Sequence, residues 1–154
     1  MKTLIVYTTK HGSVAAVAQM IQDKIPETTV VNCMTDIVPP LDCYSTIILG
    51  ASIYMGKIQP EMKHFIETHL DVLMKKKIGI FLCSGREEPN IFPDNFPARL
   101  LEHASIASVV GYAYYTEKLS FIEKLAVKAI AGIKATEEKF NLKKIDDFAA
   151  KITE

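Results

Sequence analysis

Three short stretches of this chain carry residue types able to hold a polar ligand. The first is Thr8-Thr9-Lys10-His11-Gly12-Ser13, between the apolar run Thr3 to Tyr7 and a helical pattern that begins at Val14. Its three hydroxyls can donate hydrogen bonds without adding charge, and Gly12 permits a turn that a side chain would block. The helix start adds unpaired amides and the positive end of a dipole, which together suit a phosphate. Simple capping accounts for the same residues, with Ser13 as the N-cap. Neither G-x-x-x-x-G-K-[ST] nor G-x-G-x-x-G occurs here, so the loop is not a Walker loop or a dinucleotide fingerprint. The second stretch, Ala51-Ser52-Ile53-Tyr54-Met55-Gly56, joins an aromatic ring, a thioether and a glycine directly after an apolar run. The third begins at Ser84-Gly85 and continues to Pro97, too long to be a mere connector. Ser84 and Gly85 are expected to approach a ligand through their backbones, and Phe92 and Phe96 either to shield the ligand or to anchor the segment on the core, with anchoring the favoured role.

The elements that must position these loops follow from hydrophobic periodicity. Thr3 to Tyr7 reads as a buried strand, and Val14 to Ile25 as a helix with Val14, Val17, Ala18, Ile21 and Ile25 on one face. Pro26 ends that helix because it lacks an amide donor and clashes with the preceding turn. Thr29 to Cys33, Ser45 to Ala51 and Ile78 to Cys83 read as strands two to four. Thr46-Ile47-Ile48-Leu49 is apolar on both faces, as a central parallel strand must be. Pro60 opens a helix through Leu73, with Lys75-Lys76-Lys77 at its negative end. Arg99 to Ala104 gives a short helix, Ile106 to Tyr115 a fifth strand, Leu119 to Lys134 a helix and Leu142 to Ile152 a terminal one. This alternation is that of an α/β fold, a doubly wound five-stranded parallel sheet of order 2-1-3-4-5 with helices on both faces. A ligand site is then expected at the carboxyl ends of strands one and three. A length of 154 residues fits one domain, 1–154.

Composition narrows the classes of function. Lys plus Arg equals Asp plus Glu at 18 each, which provides no global field for gathering nucleic acid. Cys33, Cys43 and Cys83 are odd in number and widely spaced in apolar surroundings, so they read as buried or half-buried thiols. His64 and His69 are five apart and do not share a helix face, so no metal site is expected. The N-terminal apolar run is far too short to span a membrane and lacks a cleavage site, which makes a cytoplasmic protein the expectation.

The opening MKTLIVYTTKHGS resembles that of flavodoxins, whose T/S-x-T-G-x-T loop wraps the phosphate of FMN. Thr9, Gly12 and Ser13 fall on the pattern; His11 stands where a hydroxyl residue is common, and Val14 replaces the last threonine. The resemblance implies FMN bound through Thr8, Thr9, Lys10, His11, Gly12, Ser13 and Val14, with backbone amides, Thr8 and His11 making up the lost donor. Leu49-Gly50-Ala51-Ser52-Ile53-Tyr54-Met55-Gly56 is similar to the third-strand loop of the flavodoxin-like, quinone-linked protoporphyrinogen oxidases, which reads G-A-S-I, an aromatic-containing stretch and Gly. By that likeness Ala51 to Gly56 lie against the flavin, with Tyr54 or Met55 on the face of the isoalloxazine. A peptide beside Gly56 is expected to reorient so that a carbonyl meets the reduced ring nitrogen N5. Ser84 and Gly85 close the other face.

Two functions follow from the resemblance. One is an FMN-dependent oxidoreductase acting on protoporphyrinogen or a quinone; the other is a flavodoxin-type carrier of single electrons between protein partners. The neutral charge balance and Lys57, which follows Gly56 where an acidic residue often stands, favour the first, because a cation stabilises anionic reduced flavin. The stretch 117–134 has apolar Leu119, Ile122, Leu125, Ala126, Ala129, Ile130 and Ile133 on one face and Lys118, Lys124, Lys128 and Lys134 on the other. Such a helix either packs on the core or makes peripheral contact with the inner face of a membrane.

Overall fold

The computed structural model describes residues 2–114 and 137–154. Five strands form one all-parallel sheet: β1 (Thr3–Tyr7), β2 (Thr28–Asn32), β3 (Thr46–Ser52), β4 (Lys77–Cys83) and β5 (Ile106–Val109), in the order β2-β1-β3-β4-β5. Their sequential crossovers bring the carboxyl ends of β1 and β3 side by side, with Tyr7 opposite Gly50, and those of β3 and β4 together, with Ser52 opposite Cys83. The sheet order matches the expectation from periodicity.

Each strand sends alternate residues to opposite faces, and each face carries its own apolar layer. Leu4, Val6, Ile47, Leu49, Ile78, Ile80 and Leu82 meet Met62, Phe65, Ile66 and Leu73 of α2 (Pro60–Leu73) and Leu100 of α3 (Ala98–His103). Ile5, Ile48 and Phe81 face Val14, Val17 and Ile21 of α1 (Ser13–Gln22), together with Ile145, Phe148 and Ile152 of α4 (Leu142–Ile152). Phe81 and Phe148 meet edge to face at 5.9 Å between centroids, the geometry that aligns a ring's positive edge with the other's negative face.

Asn141 caps α4, its side chain accepting from the Lys144 N–H at 3.0 Å. Asn141→Ala should therefore cost about 1 kcal/mol, read as a lower urea midpoint with unchanged slope.

The fifth strand departs from expectation. It ends at Val109, and Gly111 with φ 95° turns the chain into β6 (Gly111–Tyr114), which pairs antiparallel with β7 (Glu137–Phe140) in a separate two-stranded ribbon. A continuous apolar run concealed this break, since only the single glycine marks it. The helix expected over 119–134 lies outside the described residues. Among the cysteines, Cys83 is buried and Cys33 half-buried, but Cys43 is exposed because it closes a short 3-10 turn, Leu41–Cys43, on the surface. No helix among the described residues is long and apolar enough to cross a membrane.

Candidate functional site

Each of the three loops leaves the carboxyl end of a strand, and their start points adjoin because β1, β3 and β4 adjoin. Between them lies a cavity of about 100 Å³ lined by Lys10, His11 and Ser13 from the first loop, Ser52, Ile53 and Tyr54 from the second, and Ser84 and Gly85 from the third. Cys83, Tyr112 and Ala113 complete the wall. A larger hollow of about 450 Å³ beside α2, lined by Cys33, Glu61, His64 and His69 among others, takes no residue from these loops.

The first loop is organised around the start of α1. Gly12 stands at the N-cap with φ 88°, and no side chain caps the helix. The first helical bond runs from the Ala16 N–H to the Gly12 carbonyl at 3.2 Å, which leaves the amides of Ser13, Val14 and Ala15 without intrahelical acceptors. All three residues are buried. Thr9 Oγ1 accepts the Gly12 N–H at 3.0 Å and so shapes the turn while keeping its own hydrogen. Thr8 is different: it is fully buried and its hydroxyl donates to Gln59 Oε1 at 2.8 Å, so the expected role of that hydroxyl as a phosphate donor does not hold. The side chain of Val14 belongs to the apolar layer under α1, leaving only its amide for a ligand.

The second loop is a tight hairpin. Tyr54 and Lys57 exchange backbone bonds at 2.9 and 3.0 Å across Met55 (φ 51°) and Gly56 (φ 78°), the signature of a two-residue turn with both central residues left-handed. Ala51 is buried in the core, whereas Met55 stands 85% exposed at the tip, outside the cavity wall. The Tyr54 ring is half exposed and carries the Lys10 ammonium 3.3 Å from its centroid, a cation–π contact. The Gly56 carbonyl accepts from Asn95 Nδ2 at 3.0 Å, while Asn95 Oδ1 accepts the Ile58 N–H at 3.0 Å. The expected reorientation of a peptide at Gly56 is therefore opposed by a specific bond when it involves this carbonyl.

The third loop is pinned at both ends. The Ser84 N–H donates to the Gly111 carbonyl at 3.0 Å, and the Ser84 hydroxyl accepts the Arg86 N–H at 3.2 Å. Ile91 and Phe96 are buried and Phe92 packs beside them, so the segment is anchored on the core by its apolar residues as expected. Burial pushes the Cys83 thiol up to about 12, against a weaker opposing hydrogen bond from Ser13, which makes it a neutral part of the wall.

Sequence reasoning missed Tyr112 and Gln59. Tyr112 reaches the site because the bend at Gly111 turns its ring toward Gly85, where an added Cβ would stand 3.4 Å from it; a glycine inside an apolar run was the available signal. Gln59 precedes a helix-opening Pro60 and looks like any loop residue, yet it is 7% exposed and bonded to both Thr8 and Ser52.

A family model for the flavodoxin domain matches residues 4–141. The chain belongs to the flavodoxin domain family. Oxidised flavodoxin 1 from Bacillus cereus is similar at 20% identity, with 99% of this chain and 97% of that one covered and a TM-score of 0.60. The flavodoxin of Streptococcus pneumoniae TIGR4 is similar at 16% identity, covering 99% and 98%, with a TM-score of 0.64. A flavoprotein from Lactobacillus acidophilus, solved in complex with FMN, is similar at 14% identity over 72% and 93%, with a TM-score of 0.55. At such identities the likeness establishes the flavodoxin fold. No curated protein sequence matches the chain.

Proposed function

We infer that the protein binds FMN in the cavity between its three loops and exchanges electrons with a partner protein through the exposed hairpin. The observation that carries this reading is the buried, uncapped start of α1, where the amides of Ser13, Val14 and Ala15 have no intrahelical acceptor and no side-chain cap. A terminal phosphate supplies the missing acceptors and meets the positive end of the helix dipole. The other residues fit the remainder of FMN. Tyr54 offers a half-exposed aromatic face beside the cavity, and Ser84 and Gly85 bring backbone to the opposite wall. About 100 Å³ is well below the roughly 300–1,000 Å³ of sites that enclose a drug-sized ligand, so the cavity suits an edge of the flavin rather than all of it. Bound there, FMN supplies reversible one- and two-electron chemistry. The chain's own part is to hold the phosphate, stack the ring and present Met55 and Lys57 at an exposed rim where a partner can approach.

Support for a second reading, oxidation of a porphyrinogen or exchange with a quinone, comes from the likeness of residues 49–56 and from the balanced charge. A carrier steered to basic partners benefits from strong net negative charge, which this chain lacks. Family membership and the fold favour the carrier more directly than the oxidase. Peripheral membrane contact through 117–134 remains part of the second reading only.

Flavin-stripped protein titrated with FMN, FAD and riboflavin is the decisive test. FMN should bind at micromolar concentration or tighter and FAD much more weakly, because the loop serves one terminal phosphate. Preference for FAD, or no binding of any flavin at micromolar concentration, would sink the assignment. With FMN loaded, rapid oxidation of the reduced protein by a one-electron protein acceptor and slow oxidation by quinone supports the carrier; the reverse supports the second reading.

A further inference from the structure

The hairpin that carries Tyr54 bends in a way its own sequence does not favour. Met55 at φ 51° and Gly56 at φ 78° are both left-handed, and a turn of this kind prefers asparagine, aspartate or glycine at its two central positions. Methionine brings a Cβ that makes the conformation costly and no short polar group to offset it. A strained turn persists when its surroundings over-determine it. Asn95 supplies that constraint. Its Oδ1 accepts the Ile58 N–H at 3.0 Å, and its Nδ2 donates to the Gly56 carbonyl at 3.0 Å and to the Ile91 carbonyl at 2.8 Å. A backbone N–H can only donate and a carbonyl can only accept, so the three bonds agree on one orientation of the Asn95 side chain and use both of its hydrogens. The anchor itself is firm. Asn95 lies between the buried Ile91 and Phe96, and its own N–H donates to the Phe92 carbonyl at 3.0 Å.

We propose that Asn95 is a positioning residue of the candidate site: it holds the hairpin in its left-handed turn and thereby sets where the Tyr54 ring stands. Its two bonds to the hairpin fall at Gly56 and Ile58, on either side of Lys57, so they grip the limb that leaves the turn. The other limb carries Tyr54, and the bonds exchanged between Tyr54 and Lys57 join the two. Without the Asn95 side chain the Gly56 carbonyl is left to water, and Met55 relaxes toward the negative φ that its Cβ favours. Tyr54 then moves with the turn. The Lys10 ammonium, 3.3 Å from the centroid of the Tyr54 ring, reports that movement, because the Lys10 backbone is held by Ser52 and not by the hairpin. The consequence for ligand affinity rests on the FMN reading, whereas the placement of the hairpin does not.

The test compares flavin-free wild type, Asn95→Ala, Met55→Asn, the Asn95→Ala/Met55→Asn double variant and Asn95→Asp by NMR, then titrates each with FMN. The Tyr54 ring current moves the Lys10 ε-methylene resonance upfield in wild type, and Asn95→Ala should lose most of that shift. The double variant should regain it, because Asn-Gly is the pair this turn prefers and needs no outside support. Affinity for FMN should fall about tenfold in Asn95→Ala, the scale of one lost hydrogen bond, and return to within about threefold of wild type in the double variant. Met55→Asn should gain far less in wild type than in Asn95→Ala, which is the coupling expected of two residues acting on one turn. Asn95→Asp keeps the acceptor for the Ile58 N–H but sets a carboxylate oxygen against the Gly56 and Ile91 carbonyls. Its Lys10 shift should be lost at neutral pH and return as the pH falls through the carboxylate range, where the protonated oxygen donates again. Should Asn95→Ala fail to fold, this pH profile decides. A full Lys10 shift in Asn95→Ala, no recovery in the double variant, or a pH-independent Asn95→Asp overturns the proposal. Failure of wild type to bind FMN is a separate outcome that removes the FMN reading alone, since the Lys10 signal is read without flavin.

Discussion

Thr9→Asp should abolish most FMN affinity while leaving the free protein as stable as before. Thr9 Oγ1 accepts the Gly12 N–H at 3.0 Å, and an aspartate oxygen, one bond further from the backbone, accepts from a nearby N–H in the related Asx turn, so the turn into α1 survives the change. Negative charge at a helix N-terminus is favourable by about 0.3–1 kcal/mol, so the melting temperature should hold or rise. The phosphate faces the opposite effect. Two like charges about 4 Å apart repel by roughly 4 kcal/mol at an effective dielectric near 20, and ionic screening leaves about 3 kcal/mol. That corresponds to a loss of about a hundredfold or more in FMN affinity. Riboflavin carries no phosphate and should shift by less than about threefold. Fluorescence titration of both ligands against wild type and Thr9→Asp separates the effects. Equal weakening of FMN and riboflavin would move the phosphate away from the start of α1, and with it the observation on which the FMN reading stands.

The contrast between Thr8 and Thr9 shows where reading residues in one dimension stops. Both threonines sit in a loop whose type and location periodicity identifies, because a β-favouring apolar run followed by the Val14, Val17, Ala18, Ile21 stripe can only be strand, loop, helix. The sheet order follows from the same alternation and from right-handed crossovers. Which hydroxyl remains for a ligand is set by a residue 51 positions away, Gln59, and no local pattern encodes that pairing. The hairpin at Tyr54 to Lys57 is similar. Tyr54-Met55-Gly56 signals an aromatic and a turn, but the Asn95 side chain that grips the Gly56 carbonyl arrives from a different loop. The ribbon of β6 and β7 is the largest element left unread. Its strands pair across a sequence gap, and long-range pairing leaves only the glycine at its corner as a mark.

That corner is a vulnerable backbone position, and Gly111→Ala should cost about 2–5 kcal/mol, a large share of the roughly 5–15 kcal/mol that holds a domain together. Two penalties combine. Gly111 has φ 95°, and holding an L-residue in left-handed conformation costs about 1–2 kcal/mol. An added Cβ would also stand 2.2 Å from the Lys139 carbonyl oxygen and 2.9 Å from the Phe140 Cα. These are backbone atoms of β7, so relief requires moving a strand rather than rotating a side chain, and overpacking of that kind adds about 1–3 kcal/mol. Gly56 supplies the control, since it too has positive φ, at 78°, but an added Cβ meets nothing within 4 Å. Gly56→Ala should therefore cost only the conformational part, about 1–2 kcal/mol. Urea unfolding of both variants measures the difference, and a gap under about 1 kcal/mol would mean that β7 does not approach Gly111 this closely. The functional consequence follows from the Gly111 carbonyl, which holds the Ser84 N–H, and from Tyr112, which lines the cavity. Under conditions where Gly111→Ala remains folded, it should bind FMN more weakly than Gly56→Ala does, because displacing this corner moves Ser84 and Tyr112 together.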